Sequence, residues 1–134
     1  MKRVIFSALV SGHVTVSAIT YDQLMDAIAA VESDRGATSS NVYQLKPIYV
    51  DDVRRITGQR ISFEQAVGDP AVSRACIEAY WDYYGYRYYR LTLRRANAEV
   101  LARIHNGGPD GWRKSSTISY WRRVRAVLLE GGAK

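Results

Sequence analysis

Between Ala102 and Trp112 the chain reads Ala-Arg-Ile-His-Asn-Gly-Gly-Pro-Asp-Gly-Trp, and Ser115-Ser116-Thr117-Ile118-Ser119-Tyr120-Trp121 follows closely. No single helix accommodates two adjacent glycines, a proline and a third glycine in so short a run. The stretch predicts one helix ending at His105 or Asn106, a tight Gly/Pro turn, and a new helix capped by Ser116 or Thr117. Glycines there permit positive φ and let backbone approach a bound molecule closely. A plain helix-turn-helix corner needs only the Gly-Gly-Pro. The crowding of His105, Asn106 and Trp112 onto the same corner is more than a turn requires.

Helical signals recur through the rest of the chain. Thr20 and Gln23 form a capping box ahead of a helix expected from about Tyr21 to Ser33, with Leu24, Ile28 and Val31 as its apolar stripe and Met25 alongside. Pro47 suits the first turn of a second helix that carries Tyr49, Val53 and Ile56 on one face and stops at Gly58. Within it Asp51 stands at helical spacing from Arg54 and Arg55, a pairing worth roughly a few tenths of a kcal/mol. Ser62 and Gln65 suggest another capping box for a short helical turn. Asp69-Pro70 opens a long helix through Cys76, Ile77, Tyr80, Trp81 and Tyr84. The aromatic-basic run from Gly85 to Leu93 leaves its form open. A further helix, about Ala96 to His105, carries Ala98, Leu101 and Ile104, and the last runs through Trp121, Val124 and Leu128 to Gly131. No strand pair, internal repeat or low-complexity linker stands out. The expected fold class is a small, compact, all-α single domain.

At 134 residues the chain fits one domain with a substantial core. Its formal net charge of +6 is carried by 15 Arg and 4 Lys against 13 acids, which favours anionic partners. Arginine suits planar carboxylates and phosphates, so teichoic acids, acidic peptidoglycan and nucleic acid all fit on charge alone. Ten tyrosines and three tryptophans would stack on sugars or bases, though many must fill the core. Residues 1–18 read as a secretory signal: Lys2 and Arg3 are charged, Val4 to Val10 is apolar, and Val16-Ser17-Ala18 suits cleavage after Ala18. The mature domain is then 19–134, secreted or periplasmic, with no stable membrane span once the signal is cleaved. Uncleaved, the segment would tether the protein to the inner membrane. The competing reading is an N-terminal strand or arm, for which the alternation from Val14 to Val16 is suited. Cys76 stands alone, so no internal disulfide can form. Two histidines and one cysteine, scattered, make no zinc constellation, and neither a metal nor a cofactor is expected. No Gly-rich phosphate loop or Ser-His-Asp arrangement appears.

The corner string from Arg103 to Gly111, with Ser116-Thr117 and Tyr120-Trp121 after it, resembles the C-terminal signature of invertebrate-type (destabilase-like) lysozymes and their bacterial and phage relatives. A second block is similar to the same family: Ala30-Val31-Glu32-Ser33, then Val42-Tyr43-Gln44-Leu45-Lys46 and Tyr49-Val50-Asp51-Asp52. The two stand in the family's order, and the resemblance runs loosely from about Tyr21 to Val127. It implies a lysozyme-like helical fold with a shortened active-site connection, Ser33 to Val42. It also implies a peptidoglycan hydrolase, cleaving the β-1,4 bond between N-acetylmuramic acid and N-acetylglucosamine without a cofactor. Invertebrate members are disulfide-rich, so a single cysteine points to a bacterial or phage relative.

Glu32 is the expected general acid. Glycoside hydrolysis needs a carboxyl still protonated near neutral pH to protonate the leaving oxygen. Glu32 lies four residues past Ile28 and seven past Met25, so it extends an apolar face, and it stands in a helix's last turn, where the macrodipole is negative. Desolvation and dipole both raise its pKa, and the resemblance places the family's acid at this glutamate. The family's second carboxylate, an aspartate, lies in the connection, where this chain offers only Asp34. Retaining pairs stand about 5–5.5 Å apart and inverting pairs about 6.5–9.5 Å, so Asp34 serves only if the chain turns sharply at Arg35-Gly36. Asp51, Asp52 and Asp110 are reserve candidates, with Asp51 and Asp52 expected rather to solvate a helix N-terminus.

The resemblance sets Ser33, Tyr43 and Gln44 beside the acid and His105, Asn106 and Gly107 across the cleft, with Trp112 as a loop subsite. His105 is expected chiefly to bond orphan carbonyls at its helix end. Two alternatives remain open. One is a lytic transglycosylase in which Glu32 acts as acid and then as base. Glu32-Ser33 and Tyr43-Gln44 resemble that group's Glu-Ser and Gly-Leu-Met-Gln blocks, with Val42 where its glycine stands. The other is a lysozyme-like protein that binds wall glycan without cutting it. Nucleic acid is not the expected partner, because the charge is spread thinly and both blocks point to wall hydrolases.

Overall fold

The computed structural model describes residues 4–5, 19–36 and 40–132. Most of the expected export segment, with its cleavage point at Ala18, lies outside the described residues, as do the Val14–Val16 alternation and residues 37–39 of the shortened connection. Six helices make up the domain: α1 Tyr21–Asp34, α2 Pro47–Thr57, α3 Phe63–Gly68, α4 Pro70–Thr92, α5 Ala98–Gly107 and α6 Ile118–Gly132. Two 3-10 turns, Gly111–Arg113 and Ser115–Thr117, connect α5 to α6. Among the described residues, strand is confined to two pairs of residues, β1 Val4–Ile5 and β2 Ile19–Thr20, which run antiparallel. The fold is all-α.

The expected start signals act as local chemistry dictates. Thr20 and Ser62 each accept from the backbone N–H three residues on, while Gln23 and Gln65 reach back to the cap's own N–H, so both capping boxes are complete. Pro47 and Pro70 occupy first turns, where a missing N–H costs nothing. Gly58 ends α2 in the left-handed region at φ 72°. α4 is longer than its core pattern implied: it runs straight through the aromatic-basic stretch to Thr92 and closes on Leu93 at φ 60°. Gly85 stands inside it, where a methyl would make ordinary contacts of 3.5 Å with Ala96 and Leu101. α5 begins two residues later than expected, since Asn97 is the residue whose side chain caps it, accepting from Val100 N.

α5 is the central helix, packed against α4 and α6, while α1 lies across α6, α3 covers the start of α4 and α2 packs on its middle. Trp81 of α4 is fully buried where these faces converge, among Leu24 and Ile28 of α1, Leu101 and Ile104 of α5 and Val124 of α6. The corner after α5 is bound tightly to that helix. The Thr117 hydroxyl accepts from Arg103 Nε at 2.8 Å and donates to the Gly111 carbonyl at 2.7 Å. Asp110 takes hydrogen bonds from both Arg87 and Arg113, and these arginines, Arg87 foremost, hold its carboxyl below the usual carboxylate range. Gly111 packs so closely on α5 that a side chain there would overlap the Arg103 carbonyl. The corner is thus a rigid bracket, and it fixes the far wall of a cleft.

Candidate active site

Glu32 lies in the last turn of α1 with only 4% of its surface exposed, continuing the buried stripe of Leu24, Met25, Ile28 and Val31. Burial pushes its carboxyl above the ordinary glutamate value; Arg35, Arg123 and Lys46 pull the other way without reversing the shift. Arg35, which caps α1, donates to Glu32 Oε1 at 3.1 Å while its guanidinium lies 5.3 Å from the centre of the Tyr120 ring. The chain therefore holds a desolvated carboxyl with one hydrogen-bonded cation, Arg35, and two further cations acting on it, and burial still raises its pKa.

Glu32 opens onto a cleft of about 800 Å³. One wall comes from α2 and the segment before it, including Gln44, Lys46, Asp51 and Asp52. The other comes from the α5 corner, with His105, Asn106 and Gly107 through Pro109 and Lys114. The segment from Asn41 to Leu45 owes its shape to Asn41, whose amide bonds Leu45 at both N–H and C=O, each at 2.9 Å. That closes a turn and leaves Gln44 exposed at φ 52°, in a left-handed conformation rare for a residue with a side chain.

His105 locks this turn to the corner. Its Nε2 lies 3.0 Å from the Tyr43 carbonyl oxygen and its Nδ1 3.2 Å from the Tyr49 hydroxyl. A carbonyl only accepts, so Nε2 carries the proton, and Tyr49 donates to Nδ1. Burial drives the imidazole pKa down to about 4, so it is neutral at pH 7. Tyr49 is itself buried and stacked on Tyr80 with centroids 3.8 Å apart, and burial raises its phenol well above the usual range. The orphan carbonyl that His105 bonds is therefore across the cleft, at Tyr43, rather than at the end of α5.

Of the residues singled out from sequence, Glu32, Gln44, His105, Asn106 and Gly107 line one cleft. Ser33 and Asp34 are exposed on α1 and are not among its lining residues, because α1 continues helically through Asp34 before Arg35 caps it. Tyr43 is buried, its hydroxyl accepting from Arg74 at 2.7 Å, and stands behind the cleft wall rather than in it. Trp112 packs edge-on against Tyr88 beyond the corner.

Asp51 and Asp52 are not at a helix N-terminus. They stand in the second turn of α2, paired with Arg54 and Arg55 respectively, and both line the cleft. Tyr84 also donates to Asp52, which fixes that carboxylate from two sides. Arg35, Lys46, Arg55 and Asn41 went unflagged in the sequence. The readable signals were three-residue steps, from Glu32 to Arg35 and from Asp52 to Arg55. Among the described residues, no group of three or more His, Cys, Asp or Glu side chains is placed to hold a metal ion. None of the described helices is long and apolar enough to cross a membrane.

No protein-family model matches the chain. It is 37% identical to Lysozyme 1 of Crassostrea virginica over 93 residues, which cover 69% of this chain and 47% of that protein, so the chain spans about half of that relative's length. It is 30% identical over 98 residues to Invertebrate-type lysozyme 3 of Caenorhabditis elegans, covering 69% of each. With the lysozyme of Meretrix lusoria it shares 32% identity over 94 residues, covering 70% of this chain and 71% of the relative. Among solved structures it is similar to a chain in the crystal structure of Aeromonas hydrophila PliI in complex with Meretrix lusoria lysozyme. That likeness has a TM-score of 0.61 and 27% identity, covering 78% of this chain and 87% of that one.

Proposed function

The chain belongs to the invertebrate-type lysozymes, and from that premise we propose that it is a peptidoglycan hydrolase with Glu32 as general acid. The observation that carries the reading is the buried, up-shifted Glu32 carboxyl at the wall of the cleft. With its pKa raised by desolvation, it is the group that gives its proton to the oxygen of the β-1,4 bond as that bond breaks, and the sugar left behind develops oxocarbenium character. Gln44 and Asn106 both line the cleft, and their amides suit the hydroxyl and acetamido groups of N-acetylated sugars. Neutral His105 acts through Tyr43, holding Gln44 in place, and takes no part in proton transfer.

Asp34 is the weaker half of the mechanism. It stands outside the cleft's lining, which favours a second reading in which Glu32 works alone as acid and then base, and a sugar hydroxyl replaces water. Digestion of purified peptidoglycan by the chain and its Glu32→Gln variant, with products read by mass, tests both. Muropeptides with reducing ends, released only when Glu32 is present, establish hydrolysis; 1,6-anhydro products establish the transglycosylase. No release, with both proteins still sedimenting with the walls, would sink the enzyme and leave a glycan-binding protein. The same proposal takes residues 1–18 as an export signal, so N-terminal sequencing of exported protein should begin at Ile19. A start at Met1 would refute that part.

A further inference from the structure

The C-terminal half of α4 carries a surface that the cleft chemistry does not use. From Tyr83 to Asn97 the chain contains no Asp or Glu but four arginines; Arg87 is committed to Asp110, and Arg90, Arg94 and Arg95 are exposed. On this stretch Tyr83, Tyr86 and Tyr89 are 45%, 60% and 44% exposed. Three-residue steps set them along one drifting side of the helix, rising about 4.5 Å each. The Tyr86 and Tyr89 rings lie 6.5 Å apart and within 29° of parallel, and the Arg90 guanidinium stands 5.9 Å from the centre of Tyr86. Exposed aromatic rings are unremarkable singly, but a contiguous patch of them marks a place where something docks.

The stripe is continuous with the cleft. Arg55 lines the cleft, pairs with Asp52 there, and places its guanidinium 5.7 Å from the centre of the Tyr83 ring. Tyr83 in turn meets Tyr84 edge-on at 4.9 Å. A strand leaving the cleft past Arg55 would pass directly onto Tyr83, then Tyr86 and Tyr89.

We propose that this stripe is a second glycan-binding surface, which holds the peptidoglycan strand where it runs out of the cleft. The inference rests on reading the cleft as a peptidoglycan site. Its chemistry suits that occupant on two counts. Tyrosine faces pack against the apolar faces of pyranose rings while the hydroxyls stay wet, and arginine forks pair with the carboxylates borne on the strand's muramic acid and peptides. The surface adds affinity for a long strand and none for a fragment that fills the cleft alone.

The test is sedimentation with peptidoglycan stripped of attached phosphodiester polymers, in a full-length Glu32→Gln background that does not consume its ligand. Tyr86→Ala/Tyr89→Ala should raise the half-saturating wall concentration by about tenfold or more, while Tyr86→Phe/Tyr89→Phe, which keeps the rings, should bind like the parent. Equal binding by the alanine pair, with unfolding curves confirming that both variants fold, overturns the proposal. So does binding that needs the phosphodiester polymers, or that a single-stranded oligonucleotide displaces more readily than soluble glycan strands. Muropeptide release is scored separately on the chain with Glu32 intact. Release together with unchanged binding by the alanine pair removes the surface alone, whereas lost binding without any release removes the enzyme and keeps the surface.

Discussion

At Glu32 two neighbours pull against each other: the apolar packing of α1 favours the neutral acid, and Arg35 at 3.1 Å favours the carboxylate. Burial wins, so removing Arg35 should take the pKa further up. Arg35→Ala is expected to move the alkaline limb of kcat/KM to higher pH, because the acid stays protonated longer, and titration of the rate on a soluble glycan oligomer reads this directly. A limb that stays put would mean another group sets it. His105 makes the complementary case for stability. Its pKa falls from 6.5 to about 4 on folding, so the unfolded chain binds the extra proton between those values and acidification favours unfolding. At about 1.36 kcal/mol per unit of pKa, stability should fall by about 3 kcal/mol as pH drops from 6.5 to 4. Glu32, whose folded pKa is raised, acts oppositely: its contribution is whole at low pH and is lost as pH rises through the folded value. Urea unfolding across that range should therefore show the acid loss in the parent and a flatter curve in His105→Gln.

Helix boundaries show which signals a sequence carries. Capping boxes, Pro at first turns and Gly at stops are local, three or four residues wide, and α1, α2 and α3 follow from them. The second half of α4 was illegible because tyrosine occupies every side of it, so no apolar period stands out, and because it ends on Leu93 instead of a glycine. Glu32 and the His105–Gly107 corner were legible in the same local way. The ties that complete the cleft join residues 56 and 62 positions apart, Tyr49 and Tyr43 to His105, and no spacing rule reaches that far. The corner also separates two kinds of glycine. At Gly111 a Cβ would strike the Arg103 backbone carbonyl, which cannot give way without moving α5, so Gly111→Ala should cost about 3 kcal/mol or more and loosen the cleft wall. At Gly85 a methyl finds ordinary contacts at 3.5 Å inside a helix, so Gly85→Ala should stabilise by about 0.5–1 kcal/mol. Chemical denaturation of the pair checks both signs at once.

For the whole molecule the net charge of +6 has a consequence that no single arginine carries. Several of the cations are already paired within the fold, as Arg74 is with Asp22 and Asp26, and Arg87 and Arg113 are with Asp110. Those pairs leave much of the basic excess to exposed arginines, Arg90 near the end of α4, Arg94 and Arg95 just after it, and Arg122, Arg123 and Arg125 of α6, which face solvent. Attraction across water is screened over about 30 Å at 0.01 M salt and about 10 Å at 0.1 M, whereas the field at a buried carboxyl is screened far less. Raising ionic strength over that range should therefore raise KM on intact peptidoglycan several-fold and leave kcat nearly unchanged. An uncharged N-acetylglucosamine oligomer, offering no carboxylates, should show neither effect. A parallel fall in kcat on the neutral oligomer would place the salt-sensitive charges at Glu32 itself, since Arg35, Arg123 and Lys46 act on that carboxyl. The positive field would then belong to the chemistry of the cleft, and capture of the wall would rest on aromatic contact alone.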